Sequence, residues 1–329
     1  VLFLGGDTDR QGLPVPDDVA IRWNRFLHRY EFTALRWDAA NQRFIPDGEI
    51  FFFSVDDITE HPALFRRYGS EWAFQDFEGN FDTYLSWYEC FFEDAAPGQS
   101  VGEDSTVYLS STKAPARISE LLPDVHLIFL LRDPVARAYS HYWHRLREGR
   151  ATRNFRNTLQ YGDDVVITRG FYREQLERYF ALFPREQITV LIFEDFVRNM
   201  QMRIDALCNT LGLSQSIDLA GIDTTRRNAT YIPRWPQLLA YQNRLFRQRN
   251  ARHYQHHLPG MPTDESSLWG KVLDSLNHRL RYLNLADRTK PPMDPSCKSF
   301  LQRLYAKENR GLSDLIGVDV SQYWPYMDE

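Results

Sequence analysis

Long hydrophobic runs are missing from this sequence. No stretch among its 329 residues reaches 18 consecutive apolar positions, which removes a membrane-spanning helix as an expectation. No signal-peptide pattern opens the chain, and its start at Val1 without a Met leaves room for trimmed upstream residues. Cysteine is scarce. Cys90, Cys208 and Cys297 lie far apart, with no CxxC pair and no Cys/His ligand spacing, so zinc is disfavoured and no metal is expected. That usage favours a reduced cytoplasmic setting, with a lumenal domain carrying one bridge as the alternative. An excess of positive charge is also lacking. The net charge is −5, which argues against a nucleic-acid partner. There is no GxxxxGK[ST] run, which disfavours an ordinary nucleoside-triphosphate kinase, and no GxGxxG after the first apolar stretch, which disfavours a dinucleotide dehydrogenase.

What is present is globular: 43% hydrophobic, 25% charged and 14% aromatic residues, enough to build a sizeable core. Val1 to Leu4 reads as a strand running into Gly5-Gly6, Asp17 to Tyr30 as a helix, and Glu49 to Ser54 as a strand or strand end. Phe74 to Phe92 is aromatic-rich and expected to be helical. The clearest unit is a helix over Ala114 to Leu122, a strand over His126 to Leu131, and a helix over Val135 to Glu148 with Pro134 at its first turn. Further elements are a helix at Tyr172 to Phe180, a strand at Ile188 to Phe193, and a helix at Met200 to Leu211 closed by Gly212. Alternation of strands and helices predicts an α/β fold with a central parallel sheet covered on both faces. Residues 1–218 are expected to form the α/β core and residues 219–295 a largely irregular excursion with a helix at Trp269 to Leu283. Residues 296–329 should form a final helix over Ser296 to Leu315 and a tail.

The chemistry concentrates in Leu131-Arg132-Asp133-Pro134-Val135-Ala136-Arg137-Ala138-Tyr139-Ser140. A strand brings Arg132 to its carboxyl end, where open α/β sheets bind ligands. Ser140 follows eight residues later, two turns along the next helix. A guanidinium fork and a hydroxyl donor together suit one phosphate group. By comparison, His253, His256 and His257 read as a solvated loop, and Arg226, Arg227 and Arg234 as a basic surface that is a weaker candidate for anion contacts.

Leu131 to Tyr142 resembles the 3′-phosphate-binding segment of the sulfotransferase superfamily, whose co-substrate is 3′-phosphoadenosine 5′-phosphosulfate (PAPS). The resemblance extends to Gly102 to Leu109, Ala114 to Ile118, Arg169-Gly170-Phe171-Tyr172, Phe193-Glu194-Asp195-Phe196, Leu211-Gly212-Leu213 and the terminal Lys307-Glu308-Asn309 helix. It is nearest to the subgroup of bacterial and heparan-sulfate-type enzymes. It implies a P-loop-NTPase-like sulfotransferase fold, PAPS as donor, adenosine 3′,5′-bisphosphate as product, and no metal. It also implies a carbohydrate or small-molecule acceptor whose hydroxyl or amine takes the sulfuryl group. Carried over by position, Arg132 and Ser140 grip the 3′-phosphate, Tyr172 lies at the nucleotide, and Glu49 acts as general base.

The sequence departs from that pattern at the first loop. Such proteins cradle the 5′-phosphosulfate with a basic-x-Gly-Thr-Thr loop opening a helix. Here Arg10-Gln11-Gly12 overlays the basic-x-Gly part, but Leu13-Pro14 replaces both threonines, and Asp7 and Asp9 bring negative charge nearby. Three readings follow: a divergent loop working through Arg10 and Gly12, a real loop absent from this sequence, or a fold that binds nucleotide without transfer.

Overall fold

The fold is taken from a computed structural model. It describes residues 21–24, 29–32, 34–38, 43–47, 52–54, 57, 66–68, 71–73, 77–89, 92, 95, 100–103, 105–147, 149–161, 165–213, 232–246, 268–286 and 290–328. The stretches expected as a first strand and phosphosulfate loop, including Arg10 and Gly12, lie outside the described residues. So do Glu49, Arg226, Arg227 and the three histidines at 253, 256 and 257.

The first part of the chain differs from expectation. Ile21–Asn24 (β1) and Arg29–Phe32 (β2) pair antiparallel, in place of the helix predicted over Asp17 to Tyr30. The physical reason is legible afterwards: Tyr30 and Phe32 alternate with Glu31, a period of two that a helical count overlooks. Two further hairpins follow, Ala34–Asp38 (β3) with Arg43–Asp47 (β4), and Arg66–Tyr68 (β5) with Glu71–Ala73 (β6). Phe52–Ser54 is a single 3₁₀ turn, not a strand. Phe52 and Phe53 are fully buried, and the Phe52 ring stacks on Tyr88 at 4.5 Å between centroids. Aromatic packing, not ladder bonding, holds this segment. Tyr88 comes from Phe81–Glu89 (α1), a shorter helix than the predicted Phe74 to Phe92.

The α/β unit forms as expected. Ala114–Leu121 (α2) leads to the strand Leu127–Leu131 (β7), and Pro134–Arg147 (α3) follows at once. Phe155–Tyr161 (α4), Val165–Thr168 (α5) and Tyr172–Phe180 (α6) precede Ile188–Ile192 (β8), which pairs parallel with β7, Leu127 opposite Ile188 and Leu131 opposite Ile192. Alternate residues of β7 face opposite layers. Leu127, Phe129 and Leu131 enter a core with Tyr172, Leu176, Tyr179 and Trp324, while Leu130 and Leu191 pack on Phe196, Ile204 and Cys208. Those last three residues belong to Phe193–Arg198 (α7) and Met200–Thr210 (α8). The described sheet is thus covered on both faces, as an apolar parallel strand requires. Gly212 closes α8 at φ 66°, the left-handed conformation expected of it.

Beyond residue 231 the chain is more regular than its composition suggests. Ile232–Pro233 (β9) leads into Pro236–Leu245 (α9), with Pro236 at the first turn. Leu268–Asn284 (α10) returns to Leu285–Ala286 (β10), which pairs antiparallel with β9. The predicted terminal helix divides into Pro295–Glu308 (α11) and Leu312–Ile316 (α12), because Gly311 takes a positive φ of 81° between them. Asp294 caps α11, accepting from the backbone N–H groups of Ser296 and Cys297. A second core of α3, α5, α9 and α11 contains Leu146, Val166, Leu239, Leu301 and Tyr305. Cys208 and Cys297 are buried free thiols.

Candidate functional site

Arg132 leaves the carboxyl end of β7, and a network of hydrogen bonds fixes the three residues there. Asp133 accepts from the Val135 N–H at 3.0 Å through Oδ1 while its carbonyl accepts from Arg137 N–H at 2.8 Å. Asp133 therefore caps α3, and Pro134 occupies the first helical position, where a missing N–H costs nothing. The Asp133 N–H donates to Glu194 Oε1 at 3.0 Å, and the other oxygen of Glu194 accepts from Trp324 Nε1 at 3.1 Å. Glu194 follows β8 in α7, so one carboxylate staples the neighbouring strand tips together and holds the C-terminal tail over them. Tyr326, also in the tail, donates its hydroxyl to Asp133 Oδ1. Burial nevertheless raises the Asp133 carboxyl above its usual value, partly opposed by these hydrogen bonds.

The Arg132 side chain is half-buried, with its guanidinium 5.2 Å from the centre of the Phe193 ring. Its carbonyl accepts from the Tyr172 hydroxyl at 2.8 Å. Tyr172 is 3% exposed and packs near Trp324, so its hydroxyl is occupied in holding the strand tip. Ser140 lies six residues after Pro134, about 9 Å along the helix axis. Its hydroxyl, half-buried, accepts from Lys290 Nζ at 3.0 Å. The segment carrying Lys290 is fixed by Tyr139, whose hydroxyl donates to the Pro291 carbonyl at 2.8 Å.

Sequence pattern does not single out Lys290, which falls at the end of the excursion expected over residues 219–295. One local sign was present: a lysine directly before Pro291-Pro292, a stiff stretch that restricts the residue preceding it. The surroundings are strongly cationic. Burial and the guanidinium groups of Arg169, Arg137, Arg145 and Arg150 hold His141 well below the usual histidine range. His141 is thus neutral at physiological pH, and its Nδ1 lies 3.4 Å from Arg137 Nη1. Lys290 thus sets an ammonium group beside the Ser140 hydroxyl, one residue before a histidine that four guanidinium groups surround.

A model described as the sulfotransferase family matches residues 20–216, well over half of the chain. The chain belongs to the sulfotransferase family. Human heparan sulfate glucosamine 3-O-sulfotransferase 3B1 is 30% identical over 171 residues, which is 50% of this chain and 43% of that protein. Human bifunctional heparan sulfate N-deacetylase/N-sulfotransferase 2 is 24% identical over 183 residues, 50% of this chain and 20% of that protein. The chain therefore spans less than half the length of these curated relatives. Among solved structures, a sulfotransferase from Alicyclobacillus acidocaldarius superposes with a TM-score of 0.51 at 21% identity, covering 85% of this chain and 87% of that one. That likeness supports the α/β sulfotransferase fold, to which the β7–α3 unit and the parallel β7–β8 pair of this chain belong.

Proposed function

We propose that this protein moves a sulfuryl group from PAPS to a hydroxyl or amine of a carbohydrate or small-molecule acceptor, leaving adenosine 3′,5′-bisphosphate. The observation that carries this reading is the Lys290–Ser140 hydrogen bond on α3, the helix that begins two residues after Arg132. An ammonium, a hydroxyl and a guanidinium offer charge-assisted donors to a 3′-phosphate, and Ser140 can turn its proton from solvent towards a phosphate oxygen. The nucleotide supplies the activated sulfuryl group; this chain's residues hold phosphate and orient the acceptor. Arg132, Ser140 and Lys290 hold the ribose phosphate, with Tyr172 positioning Arg132 from behind. Glu49 takes the acceptor's proton as its oxygen or nitrogen attacks sulfur. Arg10 and Gly12 are assigned to the 5′ end, by analogy with the family loop. The names of the heparan sulfate relatives support a carbohydrate acceptor.

Calorimetry with adenosine 3′,5′-bisphosphate tests the site. Arg132→Ala should weaken binding by more than about tenfold, since a charged donor to phosphate is lost; unchanged affinity removes the assignment. Glu49→Gln should keep that affinity and lose transfer from radiolabelled PAPS. The composition of residues 7–14 favours a second reading, binding without transfer. It is distinguished by a bisphosphate-induced rise in melting temperature with no labelled product on any acceptor.

A further inference from the structure

Helix α10 is mounted with its polar side inward. Asn277 and Asn284 are buried, and the inward side chains are hydrogen-bonded to α9 and α3. Gln242 donates to Asn277 Oδ1 at 2.8 Å, Arg281 to Asn243 Oδ1 at 2.6 Å and to the Arg147 carbonyl at 3.0 Å, and the Trp235 N–H to Asn284 Oδ1 at 2.8 Å. The apolar stripe consequently points away from the protein. Trp269, Val272, Leu273, Leu276, Leu280 and Leu283 recur at three- and four-residue intervals and are 77, 54, 39, 46, 43 and 67% exposed. On α9, Leu238, Tyr241 and Leu245 are exposed too. Of the 18 large apolar side chains exposed among the described residues, 11 belong to these two helices and the turns that begin them. A soluble surface helix has the opposite arrangement.

Charge decides what covers this face. Among the described residues, 232–246 and 268–286 hold five lysines and arginines against one acidic residue, Asp274, a net +4 within a chain whose total is −5. Arg244 and Arg279 are exposed on the two helices. A second copy would bring one such positive segment against another, whereas an anionic surface attracts it. Exposed tryptophan and leucine with basic neighbours on an amphipathic helix suit the headgroup boundary of a bilayer. No described helix is long and apolar enough to cross a membrane, so α10 would lie in the interfacial plane.

We propose that the α9–α10 hairpin is a docking surface for an anionic lipid bilayer, seating α10 among headgroups with Trp269 and the leucine stripe immersed. This proposal is independent of the nucleotide site. Phosphatidylcholine vesicles containing 30% phosphatidylglycerol, mixed with the full chain, test it by co-sedimentation and tryptophan emission. The expected result is saturable binding with a blue shift, at least tenfold weaker on pure phosphatidylcholine. The double variant Leu276→Glu/Leu280→Glu should lose at least tenfold in partitioning while Met202→Ser, an exposed apolar residue elsewhere, keeps it. Arg244→Glu/Arg279→Glu, which leaves the apolar stripe intact, should weaken binding to the anionic vesicles alone. Absence of binding overturns the proposal, as does binding that ignores these substitutions. Sedimentation showing a lipid-independent dimer that Leu276→Glu/Leu280→Glu dissociates also overturns it, because the face is then covered by a second copy.

Discussion

Lys290 places its ammonium group 3.0 Å from the hydroxyl of Ser140, although 150 positions separate them in the chain. The contact brings Ser140 a charged donor from a segment outside its own helix. If the pair holds a phosphate, Lys290→Gln should weaken adenosine 3′,5′-bisphosphate by roughly tenfold, the scale of one charge-assisted hydrogen bond. The double variant with Ser140→Ala should lose less than the sum of the two singles, because the side chains touch. Calorimetry at two salt concentrations measures both effects. Strict additivity would show that the two side chains act on separate ligand atoms or on none.

Tyr172 acts on the backbone of the site. Tyr172→Phe keeps the ring and removes the donor to the Arg132 carbonyl. The expected cost is about 1 kcal/mol in urea denaturation, the net worth of a typical hydrogen bond. Nucleotide affinity should also fall at temperatures far below the melting transition, where global unfolding plays no part. Loss of stability with unaltered affinity would leave Tyr172 a purely structural residue.

Asp133 makes stability depend on pH in an unusual direction for a carboxylate. Burial raises its native pKa, so the folded state holds the proton more tightly than the unfolded chain. Its contribution is therefore fully present below the unfolded value, about 3.9, and is lost as pH rises through the native value. Asp133→Asn keeps an acceptor oxygen for Val135 and Tyr326 and removes the ionisation. Urea midpoints should shift in the variant's favour as pH climbs from about 4 to 7. A difference that stays constant over this window would mean that the carboxyl titrates alike in both states.

Gly170 has no room for a methyl group. A Cβ there would sit 2.6 Å from Tyr305 Cε1 and 3.0 Å from Pro134 Cβ. Tyr305 is fully buried, and its hydroxyl donates to the Ile167 carbonyl at 3.0 Å, so the ring has little freedom to withdraw. Gly170→Ala should cost about 1–3 kcal/mol, the usual range for overpacking. Since Pro134 starts α3, nucleotide affinity should fall as well. Thermal melting of Gly170→Ala beside Gly170→Ala/Tyr305→Leu checks the cause, since the smaller partner should restore part of the loss.

Much of the central unit could be read from local rules. A five-residue apolar run with Asp-Pro after it marks β7 and the start of α3, and Gly212 marks the end of α8. Tyr172–Phe180 has the predicted boundaries because its apolar spacing and its flanks agree. The first hairpin escapes local rules because Trp23, Phe26, Leu27 and Tyr30 fit a helical count, while the alternation of Ile21 with Trp23 and of Tyr30 with Phe32 spans only four residues in each strand. Helix α9 lies in a polar segment without a clear apolar period because its inward side includes Gln242 and Asn243. Their burial is tolerated only through partners on other segments, Asn277 and Arg281 on α10 and the Leu146 and Ala151 carbonyls, and that no single-segment pattern can express.

The sequence by itself determined the strand that carries Arg132, the cap and first turn of the helix that carries Ser140, and the resemblance those residues bear to sulfotransferases. These depend on hydrogen bonds and steric preferences acting within a few residues. Only the tertiary structure decided that Lys290 meets Ser140, that Glu194, Trp324 and Tyr326 clasp the strand tip, and that α10 turns its leucines outward. Each of these joins segments far apart in the chain, and packing between layers, not periodicity along one of them, selects which side chains meet.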